Sequence, residues 1–131
     1  MTHEEIVEGN KLIAKYMGAE IKDETFCFHL GNPAFKIQIE QMTFEPVYKL
    51  HYHDSWDWLM PVIETITTTG EKHLMYLYIG SNFVSTRLLA LHGEFHDMTP
   101  LISKSGPKTK ISSLQATYYV VVEFLKQLKN K

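Results

Sequence analysis

The chain has 131 residues, 44% of them hydrophobic and 21% charged. That balance fits one globular domain over residues 1–131 and excludes intrinsic disorder. A formal net charge of −2 provides no broad electropositive face, so a nucleic-acid polymer is not an expected partner.

At the start, Thr2 and Glu5 form a T-x-x-E capping box, which satisfies the orphan amides of a helix N-terminus. Ile6, Leu12, Ile13, Tyr16 and Met17 recur at helical steps, and Gly18 offers a left-handed exit. Together they predict a helix over residues 3–17. The same opening stretch is acidic where a secretory leader is basic, which makes the cytoplasm the expected compartment. No apolar run approaches the ~20 residues that span a bilayer.

Residues 19–30 and 35–50 read as extended. Phe26 and Phe28 alternate with Thr25 and Cys27, and Gly31-Asn32-Pro33 marks a turn. Phe35, Ile37 and Ile39 alternate with Lys36, Gln38 and Glu40 in the period of a half-buried strand. Cys27 is the only cysteine, which excludes an internal disulfide and a thiolate zinc cluster, and its apolar neighbours suit an inert buried thiol.

A second helix is expected to begin near Asp54 or Ser55, with Trp56, Leu59, Ile63 and Ile66 on its inner side. Pro61 inside it implies a kink or an altered first turn, and Thr67-Thr68-Thr69-Gly70 ends it. Residues 73–79, apolar or aromatic throughout, and residues 83–91 form a hairpin around Gly80-Ser81-Asn82. The first of these strands is expected at the centre of the sheet, covered on at least one face. A short strand over 92–98 and a loop over 99–110 follow, the loop carrying two prolines and a glycine. Ser112 and Gln115 cap a last helix whose stripe of Leu114, Tyr118, Val121, Leu125 and Leu128 is widened by Val120, Val122 and Phe124. That arc implies a helix well buried or in contact with another subunit. The order predicts an α+β fold: a small antiparallel or mixed sheet packed with N-terminal, central and C-terminal helices in a sandwich-like layout.

Histidine is the most suggestive source of chemistry. His51 and His53 form an H-x-H pair, and His92 and His96 lie four apart. Imidazoles in such numbers can hold zinc, and a metal-dependent hydrolase using these four is one reading. Against it, His51-Tyr52-His53-Asp54 departs from the H-x-H-x-D-H pattern of metallo-β-lactamases. Its acid comes one residue early, and Trp56 stands where the next histidine belongs. On a strand, His92 and His96 would also be ~13 Å apart. Surface or hydrogen-bonded histidines are the favoured reading, with no metal and no cofactor expected. No G-x-S-x-G elbow, Walker loop or pair of H-x-[ST] motifs supplies a catalytic residue.

Aromatic side chains crowd the second helix's start. Tyr52, Trp56 and Trp58 could stack a base, with Met75, Tyr76 and Tyr78 adding further soft surface. Trp58 lies about 200° around the helix from Trp56, so one indole is expected at a loop, a ligand or a partner. Arg87 is the only arginine, and its fork suits bidentate phosphate contact.

The run Tyr52-His53-Asp54-Ser55-Trp56-Asp57-Trp58-Leu59-Met60-Pro61-Val62-Ile63-Glu64 resembles one found in small uncharacterised bacteriophage and prophage proteins. Glu8-Gly9-Asn10-Lys11-Leu12-Ile13-Ala14 and the last helix around Tyr118 and Val121-Val122-Glu123-Phe124-Leu125 are similar as well. The layout is similar to phage ABA-sandwich domains, with helices over both faces of a small sheet. The resemblance implies no catalytic motif. It implies a non-catalytic accessory protein in the bacterial host cytoplasm, in its most specific form a homo-oligomeric sponge that sequesters a host nucleotide immune signal. Tyr52, His53, Trp56, Trp58 and Arg87 are the candidate ligand-binding residues. An interaction module that inhibits a host protein through the apolar C-terminal helix is a third reading.

Overall fold

A computed structural model describes residues 1–22, 26–30, 42–68, 73–92 and 97–129. The architecture is α+β, with N-terminal, central and C-terminal helices and antiparallel strands. The chain forms two compact units, Met1–Val62 and Ile63–Lys131, and the boundary falls inside the central helix.

In the first unit, helix α1 (His3–Tyr16) starts at the expected capping box. The Thr2 hydroxyl accepts from the Glu5 amide at 3.2 Å, and the Glu5 carboxylate accepts from the Thr2 amide at 3.4 Å. Gly18 follows with φ of 102°, a conformation that residues with a Cβ avoid. Strands β1 (Glu20–Lys22), β2 (Phe26–Leu30) and β3 (Met42–Pro46) form an antiparallel sheet in chain order. The expected turn at Gly31 and the alternating run over 35–40 lie outside the described residues. Extended structure does not continue to residue 50. Pro46 brings no N–H to the ladder, and Val47–Lys49 close into a 3₁₀ turn against which α1 packs.

Helix α2 (Trp56–Thr68) begins where the Ser55 carbonyl accepts from the amides of Trp58 and Leu59, at 3.2 and 3.1 Å. It continues through Pro61. Near its end, the Thr67 and Thr68 hydroxyls donate to the carbonyls of Ile63 and Glu64, at 3.0 and 2.7 Å. Such back-bonding satisfies the hydroxyls within the helix while competing for its last carbonyls.

The second unit holds β4 (His73–Ile79), β5 (Phe83–His92), β6 (Asp97–Pro107) and helix α3 (Ser113–Lys129). The sheet order is β4-β5-β6, all antiparallel. Two expectations are corrected here. The central strand is β5, not the apolar run 73–79, which forms an edge. The proline-bearing stretch 99–107 is strand, not loop. Prolines fit there because β6 is the opposite edge, where a missing N–H breaks no ladder. Pro100 sits beside the register shift at Leu88/Leu89, and Pro107 ends the strand. Residues 93–96 lie outside the described part, so the short strand expected over 92–98 is represented by the end of β5 and the start of β6.

One face of this sheet is covered by α3, which packs on β5 and β6. Val84, Thr86, Leu88 and Ala90 of β5 are buried, as are Tyr118, Val120, Val121, Val122, Phe124 and Leu125 of α3. The width of the helix's apolar arc is thus taken up by burial within the protomer. The Thr117 hydroxyl donates to the Ser113 carbonyl at 2.8 Å, which leaves the Thr86 hydroxyl to donate to Thr117 at 3.0 Å. Lys104 lies 4.6 Å above the Tyr119 ring, and His73 meets Phe124 edge-on at 5.1 Å. Among the described residues no helix is long and apolar enough to cross a membrane.

Candidate functional site

Four of the five expected ligand residues, Tyr52, His53, Trp56 and Trp58, belong to the first unit, and Arg87 belongs to the second. Residues 51–54 form a turn rather than a strand, closed by the Asp54 amide donating to the His51 carbonyl at 3.3 Å. The turn draws both imidazoles onto one carboxylate. His51 Nδ1 lies 3.1 Å from Asp54 Oδ1, and His53 Nε2 lies 3.6 Å from Asp54 Oδ2.

Behind His53 stands Asn10, a buried amide on α1. Its Nδ2 lies 3.3 Å from the Leu50 carbonyl and 3.0 Å from His53 Nδ1. A carbonyl only accepts, so the amide nitrogen must face it, and the second amide hydrogen is aimed at the imidazole. His53 Nδ1 therefore accepts, and the neutral ring carries its proton on Nε2, toward Asp54. Burial lowers the His53 pKa from its ordinary value, with the Asp54 charge opposing and His51 and His3 reinforcing that shift.

Tyr52 is fully buried. Trp58 packs edge-to-face on it at 5.2 Å and against His51 at 5.6 Å. Trp56 and Trp58 are both half-buried. Tyr52 is thus a core ring that braces one indole. His92 ends β5 and His96 lies outside the described residues. Among the described residues no group of three or more His, Cys, Asp or Glu side chains is placed to hold a metal ion.

A second candidate is the face of the second sheet away from Thr86 and α3. Strand alternation sends Leu74, Tyr76 and Tyr78 of β4 and Phe83, Ser85, Arg87 and Leu89 of β5 to that face. With Ser105 of β6 they line an open groove of about 490 Å³. Register makes the groove a lattice of rows. Tyr76, Arg87 and Ser103 stand side by side in one row, and Tyr78, Ser85 and Ser105 in the next. Tyr76, Tyr78 and Phe83 are 49%, 48% and 45% exposed, far more than rings with a purely structural role need. Tyr78 folds back over Gly80, where a Cβ would meet its ring at 3.0 Å. Among the described residues Arg87 is the only charged group in the lining, and nothing pairs with its guanidinium.

No family model, curated protein or solved structure matches this chain. The molecule offers two candidate sites, the turn at 51–54 and the groove. Of them, the groove has the volume and, among the described residues, an unpaired cation for a ligand, while the polar groups of the turn at 51–54 are engaged with one another and with Asn10.

Sequence reasoning singled out Arg87, Tyr76 and Tyr78 but missed Phe83, Ser85, Ser105 and Asn10. A signal for Asn10 was present: Ile6, Asn10, Ile13 and Met17 recur at helical steps, so a lone amide interrupts an apolar stripe. Phe83 and Ser85 share the Arg87 face through the local two-residue period of β5, whereas Ser105 joins them only through strand register, which no local pattern encodes.

Proposed function

We propose that this protein is a non-catalytic binding protein that holds a small planar anion on the open face of its second sheet. The observation that carries the reading is Arg87, a guanidinium unpaired among the described residues and set among exposed Tyr76, Tyr78 and Phe83. The rings offer stacking faces, the guanidinium a bidentate partner for phosphate, and Ser85 and Ser105 neutral donors. The groove volume lies in the range of small-ligand sites. Among the described residues its lining holds no carboxylate, imidazole or thiol to shuttle a proton, which supports storage of a ligand over its conversion. The resemblance to small phage proteins supplies the setting: a bacterial cytoplasm in which a homo-oligomeric sponge withholds a host nucleotide immune signal.

The test incubates the protein with a panel of mono-, di- and cyclic nucleotides, separates bound from free, then heat-denatures the bound fraction. A binding protein returns the nucleotide intact. Returned product would indicate a hydrolase, and a panel left wholly free would overturn the reading. Arg87→Ala should weaken binding by roughly 10- to 100-fold, the scale of a lost charge-assisted hydrogen bond, and Arg87→Lys should restore only part of it.

A further inference from the structure

Strand β4 is the edge of its sheet, with β5 on one side and no strand beside it on the other among the described residues. Exposed edges recruit further strands, so they are ordinarily blunted by a charge, a proline or a bulge. β4 reads His73-Leu74-Met75-Tyr76-Leu77-Tyr78-Ile79, without lysine, carboxylate or proline, and pairs with β5 in unbroken register. Its second half is bare on both faces. Leu77 and Ile79, on the side opposite Tyr76 and Tyr78, are 39% and 55% exposed.

We propose that β4 is the interface of a homodimer. The β4 strands of two copies pair antiparallel about a two-fold axis at Tyr76 and join two three-stranded sheets into one of six strands. The register follows from parity. Tyr76 is the middle of the seven residues, so full overlap sets His73 opposite Ile79, Leu74 opposite Tyr78 and Met75 opposite Leu77 of the second copy. Each of these pairs joins like faces, whereas a one-residue slip would set the Tyr76 face against the buried one. The strand carries no fixed charge, so self-pairing places no like charges opposite. A charged peptide would find no complement along it.

The other edge explains why growth stops at two. β6 presents Pro100, Lys104 and Pro107, the residues that block strand addition. One open edge and one blocked edge give a closed, isologous pair rather than a fibre. In that pair the row through Arg87 and Tyr76 continues into its mate, placing the two Arg87-bearing positions about 14 Å apart, three strand spacings, on one face. The interface locates the homo-oligomer of the functional reading, and it stands whether or not the groove takes a nucleotide.

The experiment uses the full chain with Cys27→Ala, so that an added thiol is the only one. Tyr76→Cys, on the axis, should form a covalent dimer under mild oxidation, while Tyr48→Cys, 69% exposed in the first unit, should not. Light scattering of the unmodified chain should give twice its 15.2 kDa mass. Ile79→Lys, at a position 55% exposed, should weaken self-association at least about tenfold by adding an edge charge. A monomeric chain overturns the interface and the homo-oligomer together, leaving the groove to the nucleotide panel. A dimer that ignores Ile79→Lys and does not crosslink at position 76 overturns the interface alone. So does equal crosslinking at 48 and 76, or open-ended assembly.

Discussion

His53 shows how one buried amide sets the chemistry of a titratable ring. Asn10 commits one hydrogen to the Leu50 carbonyl and the other to His53 Nδ1, so the site accepts the neutral ring and opposes a second ring proton. Burial acts in the same direction and lowers the pKa. The unfolded chain therefore binds this proton more readily than the folded one. The His53 contribution to stability is fully present above the unfolded value, about pH 6.5, and is lost as pH falls from there through the lowered folded value. His53→Gln retains an acceptor for Asn10 but cannot titrate. Urea midpoints measured across that window should fall with acidification in the parent chain and change less in the variant; equal slopes would refute the assignment. Trp58, braced on Tyr52 and His51, gives a fluorescence reporter on the two residues that precede His53.

Among the elements, the seam between α3 and β5 rests on a hydroxyl relay from Thr86 through Thr117 to the Ser113 carbonyl. Both threonines are buried. Thr117→Val keeps the shape and strands the Thr86 donor, at a cost of about 1–3 kcal/mol. Adding Thr86→Val removes the stranded group, so the double variant should recover part of the loss by chemical denaturation. A double variant that simply sums two losses would show the relay contributes through packing alone. These same elements show what the sequence made legible. The two capping boxes, the Gly18 exit and the hairpin turn are local chemistry, and each is in place. Strand order is not local. A fully apolar stretch such as 73–79 reads as central because burial on both faces usually produces that pattern, yet here it lies at an edge. Prolines at 100 and 107 read as loop because their tolerance at an edge depends on a neighbour far away in sequence. The expected binding residues divide on the same ground. Arg87 was legible as a lone arginine, whereas Tyr52, read as a stacking ring, is sealed in the core.

For the whole molecule, the proposed pairing of β4 makes stability depend on concentration. A partner that binds only the folded chain stabilises it by mass action, so the apparent thermal midpoint of a dimer rises with protein concentration, while that of a monomer does not. Each roughly tenfold increase adds about 1.4 kcal/mol per dimer, which for a pair of chains this size corresponds to a rise of roughly 3–5 °C. The residues responsible, Leu77, Tyr78 and Ile79, are exposed in the protomer, Ile79 at 55% the most, so Ile79→Lys places its charge at the edge with the smallest loss of packing. Melting followed by circular dichroism over two decades of concentration should then give a rising midpoint for the parent chain and a flat one for Ile79→Lys. The two curves should meet at the dilute end, where the parent chain has also dissociated. A flat parent curve would mean that the apolar edge stays unpaired, and a parallel rise in both would place the contact elsewhere on the surface.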